Sequence, residues 1–144
     1  MLIRATPDWN RTVVLPADHP RGAALLLHGL SDSPYSMRAL AEHLHAQGWT
    51  VVVLRLPGNG TAPLGLLDVS WKDWAAAVRV AACDLVKTTG AEKPFLLVGY
   101  SMGAALSVEY ALAQRQGEDL PKPRAIVLLS PAIGVASSAR FASW

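Results

Sequence analysis

The most informative segment of the 144-residue chain reads Leu96-Leu97-Val98-Gly99-Tyr100-Ser101-Met102-Gly103-Ala104-Ala105-Leu106. An apolar run typical of a β-strand ends at Tyr100, and an amphipathic stretch typical of a helix begins at or just after Ser101. The Gly-x-Ser-x-Gly pattern therefore falls on a sharp strand-to-helix turn. Neighbours without a Cβ, here Gly99 and Gly103, let the backbone pass closely there and lift the serine hydroxyl above the sheet. We interpret Ser101 as a candidate nucleophile; the alternative is that Ser101 only caps the helix and the glycines only allow tight packing.

The segments around this turn predict the fold class. Short apolar or β-branched runs alternate with longer amphipathic stretches, which is the pattern of an α/β protein with a mostly parallel sheet and helices on both faces. We expect strands over residues 12–15, 23–27, 51–56, 95–100 and 125–129. The last four are nearly all apolar, as strands buried on both faces should be.

Three amphipathic stretches between these strands predict crossover helices. The first follows Ser33-Pro34, a cap with proline at the first helical position, and stops before Gly48. The second opens with a pattern like a capping box at Ser70 and continues to Gly90, and the third runs from the serine turn to Gly117. An apolar stripe on the second helix begins with Trp71 and Trp74, which we expect to pack in the core.

Composition limits the function classes. With 51% hydrophobic and 17% charged residues, the chain fits one globular domain with a substantial core. The net charge is +2 and no run of Lys or Arg forms a stripe for phosphates, so we expect no nucleic-acid partner. No apolar run approaches the roughly 18 residues of a membrane helix, and the N-terminus lacks a secretory apolar region, so we expect no membrane span and a cytoplasmic protein.

The residues that commonly hold metals or form disulfides are sparse. Cys83 is the only cysteine, which excludes an internal disulfide, and the four histidines are scattered at positions 19, 28, 43 and 45. No dinucleotide or phosphate-loop glycine motif follows a strand. We therefore expect no metal site and no cofactor.

A second turn with chemical interest follows the strand over residues 23–27. His28-Gly29-Leu30 stands at its carboxyl end, the edge of an open α/β sheet where ligands bind. Two further motifs follow strands, Arg55-Leu56-Pro57-Gly58-Asn59-Gly60-Thr61-Ala62-Pro63 and Leu129-Ser130-Pro131. Together with the Ser101 turn, these motifs resemble the α/β-hydrolase superfamily, specifically the small carboxylesterases and monoacylglycerol-lipase-like serine hydrolases. The resemblance covers the chain from about Ala23 onward.

The resemblance implies a function and a set of site residues. It implies an acyl-enzyme formed at Ser101 on a carboxylic ester, with backbone N–H groups of Leu30 and Met102 as the oxyanion hole. Gly29, Gly99 and Gly103 would support the site. His28 is expected to brace its loop through its ring nitrogens, because the catalytic histidine of this fold follows the serine in sequence.

The resemblance leaves alternatives open. A noncatalytic binding module of the same fold, or another serine enzyme of the fold such as a peptidase, thioesterase or perhydrolase, would carry the same elements. The chain also departs from its relatives at one position: they usually have Gly-His-Gly where this chain has Gly58-Asn59-Gly60, which affects local geometry near the site.

The acid and base of a catalytic triad are missing. Both should follow Ser101, but the chain has no histidine after His45, and Glu109, Glu118 and Asp119 fall on the third helix or just beyond it. We therefore expect residues 1–132 to be the N-terminal part of a hydrolase core that is incomplete at its C-terminal end, and residues 133–144 to begin a cap.

The last strand supports the same expectation. Strand 125–129 would be an unpaired apolar edge, which natural proteins avoid. We expect a C-terminal remainder to pair with it, either as a second polypeptide or as the rest of a longer chain that is truncated here, and we expect the chain alone to be inactive.

Overall fold

The computed structural model describes residues 8–60 and 63–134. Within them lies a five-stranded sheet. Its strands are β1 (Val13–Leu15), β2 (Gly22–Leu27), β3 (Trp49–Leu54), β4 (Phe95–Tyr100) and β5 (Ala125–Leu129). Their order across the sheet is β1-β3-β2-β4-β5; β1 pairs antiparallel with β3 and every other pair is parallel. The expected mostly parallel α/β architecture is confirmed.

Three helices cross between the parallel strands. They are α1 (Arg38–Ala46), preceded by a 3-10 turn over Pro34–Met37, α2 (Trp71–Thr89), preceded by a 3-10 turn over Pro63–Leu66, and α3 (Met102–Arg115). Ser70 caps the start of α2: its backbone N–H donates to Asp73 Oδ2 at 2.8 Å, and its hydroxyl donates to the same oxygen at 2.7 Å. These bonds lower the pKa of Asp73, and they explain why the predicted start of α2 is correct.

The helices cover the sheet from two sides, and β2 lies between them with every residue buried. Leu25 and Leu27 point into a cluster with α2 and α3, whereas Ala24 and Leu26 point into a second cluster with α1. This alternation follows from the two-residue repeat of a strand. The core therefore fixes the carboxyl end of β2, where the candidate site begins.

Two predicted features of the region after β3 differ from the structure. The strand spans Trp49–Leu54 instead of residues 51–56, because β2 pairs with it only from Gly22 opposite Trp49 to Leu27 opposite Leu54. The side chain of Trp71 is 56% exposed, so its predicted burial is wrong. The first turn of α2 lies beside the loop after β3, where Trp74 is partly buried and donates from Nε1 to the Pro57 carbonyl at 2.9 Å.

An ion-pair cluster joins α2 to α3. The Arg79 guanidinium makes two bonds to the Glu109 carboxylate, at 2.9 and 2.8 Å, and its Nε donates to Glu118 at 2.7 Å. Hydrogen bonding to Glu118 and Glu109 raises the pKa of Arg79. Glu109 therefore links α3 to α2, and Glu118 links the segment after α3 to α2.

Strand β5 lies at the edge of the described sheet and pairs only with β4. The side chains of Val127, Leu128 and Leu129 are exposed, so the expectation that this strand is covered on both faces does not hold within the described residues. Among residues 8–60 and 63–134, β5 therefore forms the expected unpaired apolar edge. Most of the predicted cap segment, from residue 135 onward, lies outside the described residues.

Candidate functional site

The backbone of Ser101 adopts an uncommon conformation between β4 and α3. Its φ of 52° and ψ of −112° lie in a region that residues with a side chain rarely occupy. Hydrogen bonds on both sides hold it there: the Ser101 N–H donates to the Leu129 carbonyl at 2.9 Å, and the Ser101 carbonyl accepts from the N–H of Ala132 at 3.2 Å. Such strain is retained where surrounding structure enforces it, and it is often found at functional sites.

The glycines at this turn are required by close backbone approaches. A Cβ at Gly99 would overlap the carbonyl of Gly103, and a Cβ at Gly103 would overlap the carbonyls of Leu27 and His28. The start of α3 therefore packs directly against the carboxyl end of β2. A Cβ at Gly29 would lie 3.5 Å from Ser101 Cβ, so the turn after β2 touches the serine turn. The structure thus brings together the two segments that the sequence singled out.

The two predicted oxyanion donors lie on these two turns. Met102 is the first residue of α3, and Leu30 follows Gly29 with its side chain half-exposed. None of the hydrogen bonds between described residues uses the N–H of Leu30 or of Met102 as a donor. Both amides can therefore donate to a ligand oxygen, and Met102 also stands at the positive end of the α3 dipole. Their role in an oxyanion hole stays a prediction.

His28 is fully buried beneath this turn, and its contacts define its protonation state. The Leu56 N–H, which can only donate, lies 3.1 Å from Nε2, so Nε2 carries no proton. Nδ1 must then carry the proton, which it donates to the Gly29 carbonyl at 2.8 Å. Burial lowers the pKa of His28, against smaller opposing effects of the Gly29 bond and the Asp32 charge, and so favours this neutral form. With both ring nitrogens occupied, His28 fits a brace and has no lone pair for a proton from Ser101.

Asn59 belongs to the site region as well, although the sequence assigned it no role. Its side chain is 4% exposed, and Nδ2 donates to the Leu30 carbonyl at 2.7 Å. Asn59 Oδ1 is buried and has no partner among the described residues. The only sequence signal was the asparagine in place of the usual histidine between Gly58 and Gly60.

No described acidic side chain downstream of Ser101 is placed as a triad acid. Glu109 and Glu118 pair with Arg79, and Asp119 lies exposed beyond α3. Over residues 8–60 and 63–134 there is no group of three or more His, Cys, Asp or Glu that could hold a metal ion. In the same part of the chain, no helix is long and apolar enough to cross a membrane.

A groove of about 640 Å³ lies away from this region, between α2 and the β1–β3 side of the sheet. It is lined by residues such as Val14, Val52, Leu85 and Thr89. None of the candidate site residues lines it. The carboxyl edge of β2 and β4 therefore remains the place where the described residues bring chemical groups together.

A strained serine at the start of a helix, on the carboxyl edge of a parallel sheet, is the architecture of an α/β-hydrolase. Within that class, the chain belongs to the family described as serine aminopeptidase, S33, whose sequence model matches residues 18–144.

Curated relatives include lipases and a subunit of a larger enzyme. The thermostable monoacylglycerol lipase of Bacillus sp. (strain H-257) is 34% identical over 87 residues, covering 60% of this chain and 34% of the lipase. Phospholipase YtpA of Bacillus subtilis (strain 168) is 30% identical over 120 residues, covering 83% and 44%. The magnesium-chelatase 30 kDa subunit of Rhodobacter capsulatus is 31% identical over 125 residues, covering 83% and 37%. This chain thus spans only about a third to under half of these proteins.

Solved structures of lipolytic enzymes also resemble this chain over only part of their length. A structure from work on the metagenome-derived lipolytic enzymes LipS and LipT superposes with a TM-score of 0.80 at 26% identity, covering 95% of this chain and 52% of that one. Monoglyceride lipase from Saccharomyces cerevisiae superposes with a TM-score of 0.76, covering 92% and 44%; at 17% identity this likeness shows the fold alone.

Proposed function

We propose that this chain is the nucleophile-bearing part of a serine hydrolase that cleaves carboxylic esters. The observation that carries the proposal is the conformation of Ser101, strained at φ 52° and held against the Gly29 turn at the start of α3. The similarity to a monoacylglycerol lipase and a phospholipase supports esters as the substrate class. A small-molecule ester in the cytoplasm is the substrate that we expect.

The proposed reaction proceeds in two steps. Ser101 Oγ attacks the ester carbonyl carbon while a histidine takes its proton, and the carbonyl oxygen becomes an oxyanion that the Leu30 and Met102 N–H groups stabilise. The C–O bond to the alcohol then breaks, and the histidine returns the proton to the leaving alcohol. Water, activated by the same histidine, hydrolyses the acyl-enzyme and releases the carboxylic acid.

The proposal requires residues from outside this sequence. We use the term completed protein for this chain together with the polypeptide, in the same chain or a second one, that supplies the catalytic Asp and His. The exposed apolar edge of β5 supports the presence of such a partner, because an additional strand would bury Val127, Leu128 and Leu129. Without it, Ser101 has no base, and we expect the chain alone to be inactive.

A fluorophosphonate probe tests the nucleophile directly. The completed protein should be labelled at Ser101 and should hydrolyse p-nitrophenyl esters and monoacylglycerols. Ser101→Ala should lose both activities, whereas Ser36→Ala, which removes an exposed hydroxyl in the turn before α1, should keep both. Absence of labelling in a folded completed protein would refute the proposal, as would ester hydrolysis by the purified chain alone that persists in Ser101→Ala.

A noncatalytic binding module is the second candidate. The similarity to a magnesium-chelatase subunit favours it, because that relative is named as part of an assembly. In this case the completed protein would fold and bind a partner but fail to label. Parallel assays with a peptide that has a free N-terminus, with a thioester, and with a carboxylic ester plus hydrogen peroxide distinguish the peptidase, thioesterase and perhydrolase alternatives.

A further inference from the structure

Two buried side chains bind the two peptide groups that flank Leu30. His28 Nδ1 donates to the Gly29 carbonyl at 2.8 Å, and Asn59 Nδ2 donates to the Leu30 carbonyl at 2.7 Å. The first carbonyl belongs to the peptide group that ends in the Leu30 N–H, and the second belongs to the next peptide group. Rotation of either peptide group would break one of these bonds.

The first bond sets the direction of the Leu30 N–H. In a planar trans peptide the C=O and the N–H point in opposite directions. With the Gly29 oxygen directed at the buried His28 ring, the Leu30 N–H is directed away from the core. Asn59 holds the next peptide group, which contains the Leu30 carbonyl. Rotation of that group would change the backbone angles of Leu30.

The turn after β3 positions both bracing side chains. The Leu56 N–H donates to His28 Nε2 at 3.1 Å and thereby fixes the ring and its tautomer. The Leu56 carbonyl accepts from the Asn59 N–H, also at 3.1 Å, so the same short turn places the Asn59 side chain. The turn after β3 thus holds the turn after β2 through two separate hydrogen-bond paths.

The oxygen of the Asn59 side chain has no partner among the described residues. A buried polar atom without a partner costs about 1–3 kcal/mol, which an apolar side chain of similar shape would avoid. Asn59 Oδ1 is such an atom, whereas Nδ2 of the same amide donates to the Leu30 carbonyl. Thr89 Oγ1 shares this property, so the bond from Asn59 to the Leu30 carbonyl is what distinguishes Asn59.

We propose that Asn59 is a positioning residue for the Leu30 N–H, acting with His28 to direct this amide toward the oxygen of the bound substrate. The proposal rests on the proposed ester hydrolysis. In this proposal the turn after β3 positions the N–H of Leu30, whereas α3 positions the N–H of Met102.

Asn59→Leu in the completed protein tests this, because leucine has nearly the shape of asparagine but cannot donate. We expect kcat to fall about 10- to 100-fold with KM within about threefold, since one donor of an oxyanion hole contributes about 100- to 1000-fold when removed entirely. The inhibition constant of a trifluoromethyl ketone, which forms a tetrahedral adduct with serine, should rise in proportion to the loss of kcat/KM. The thermal unfolding midpoint should stay close to that of the unmodified protein, so that unfolding does not account for the loss of kcat. Asn59→Ala serves as a second variant if the leucine does not fold.

Thr89→Val is the matched control. Thr89 Oγ1 is the other buried side-chain atom without a partner among the described residues, and Thr89 ends α2 far from Ser101. This variant should leave kcat, KM and the inhibition constant unchanged. The proposal is overturned if Asn59→Leu and Asn59→Ala behave like Thr89→Val. It is also overturned if these variants contain fewer active molecules but each active molecule keeps the kcat of the unmodified protein.

Nuclear magnetic resonance gives a readout that does not depend on hydrolysis. In Asn59→Leu, the Leu30 amide should change its chemical shift and exchange its hydrogen faster, whereas the Met102 amide should not. An unchanged Leu30 amide contradicts the positioning role even if the completed protein proves to be no hydrolase. If the unmodified completed protein hydrolyses no ester but its Leu30 amide still responds to Asn59→Leu, only the proposed function is refuted.

Discussion

The two turns that meet at the candidate site are held in place by opposite means. The Ser101 turn is shaped by its backbone: glycines at 99 and 103 fill positions where a Cβ would overlap carbonyl groups, and backbone bonds to Leu129 and Ala132 hold the strained serine. The Leu30 turn is shaped by side chains, because His28 and Asn59 bind its carbonyls. A side chain at Gly99 or Gly103 would force the backbone to shift, whereas side-chain braces can be exchanged for others that donate a hydrogen bond.

This comparison predicts its largest effect at Gly103. A methyl group in Gly103→Ala would overlap the Leu27 and His28 carbonyls, so α3 must move away from β2. We expect the free energy of unfolding of the completed protein to fall by about 2–3 kcal/mol and probe labelling of Ser101 to slow by more than about 100-fold. Gly134→Ala is the control, because a Cβ there meets nothing within 4 Å. Urea unfolding and labelling rates that match the control would show that the two turns need no close contact.

Two substitutions of His28 separate its two hydrogen bonds. The amide nitrogen of Asn can take the place of Nδ1 and keep the bond to Gly29, whereas the amide oxygen of Gln can take the place of Nε2 and keep the bond from Leu56. We expect kcat of His28→Gln to be about tenfold lower than that of His28→Asn, because only the Gly29 bond directs the Leu30 N–H.

Steady-state kinetics on protein quantified by active-site titration measures this difference. The opposite order would mean that the link to the turn after β3 matters more than the direction of the peptide group. Equal values would mean that His28 acts only by filling space.

Strain at Ser101 predicts a smaller effect of opposite sign. Glycine adopts a φ of 52° without the penalty that a side chain incurs, so Ser101→Gly should be more stable than Ser101→Ala by about 1 kcal/mol. The Leu30 turn has no such positive φ among its residues, and Leu30→Gly should be no more stable than Leu30→Ala. Thermal or urea unfolding of the four variants tests both statements. A Ser101→Gly variant less stable than Ser101→Ala would show that the serine turn is not strained.

The contrast between the turns also explains what the sequence predicted. Gly-x-Ser-x-Gly is a local pattern, so the strand, the turn and α3 followed from neighbouring residues alone, as did the capped start of α2. The limits of β3 depend on pairing with β2, and the exposure of Trp71 depends on where α2 begins relative to the loop after β3. Both are set by distant residues.

The candidate site divides in the same way. Local sequence indicated His28, because His28-Gly29 follows a predicted strand, and the contacts of its ring fit the bracing role expected for it. The bond from Asn59 to Leu30 joins residues 29 positions apart, and no local pattern could indicate it.

The last and smallest effect concerns the neutral state of His28. Because burial lowers its pKa below the ordinary value near 6.5, the unfolded chain takes up a proton in mildly acidic solution more readily than the folded protein does. Stability therefore falls as pH decreases below about 6.5, by at most about 1.4 kcal/mol per pH unit for one proton. His28→Asn cannot titrate, so the completed protein carrying it should lose less stability than the unmodified protein between pH 6.5 and 5.5, by at most about 1 kcal/mol. Urea unfolding at these two pH values measures the difference. Identical pH dependence in the two proteins would mean that folded His28 takes up the proton as readily as the unfolded chain, in which case Nε2 would stop accepting from Leu56 in mildly acidic solution, whereas Nδ1 could still donate to Gly29.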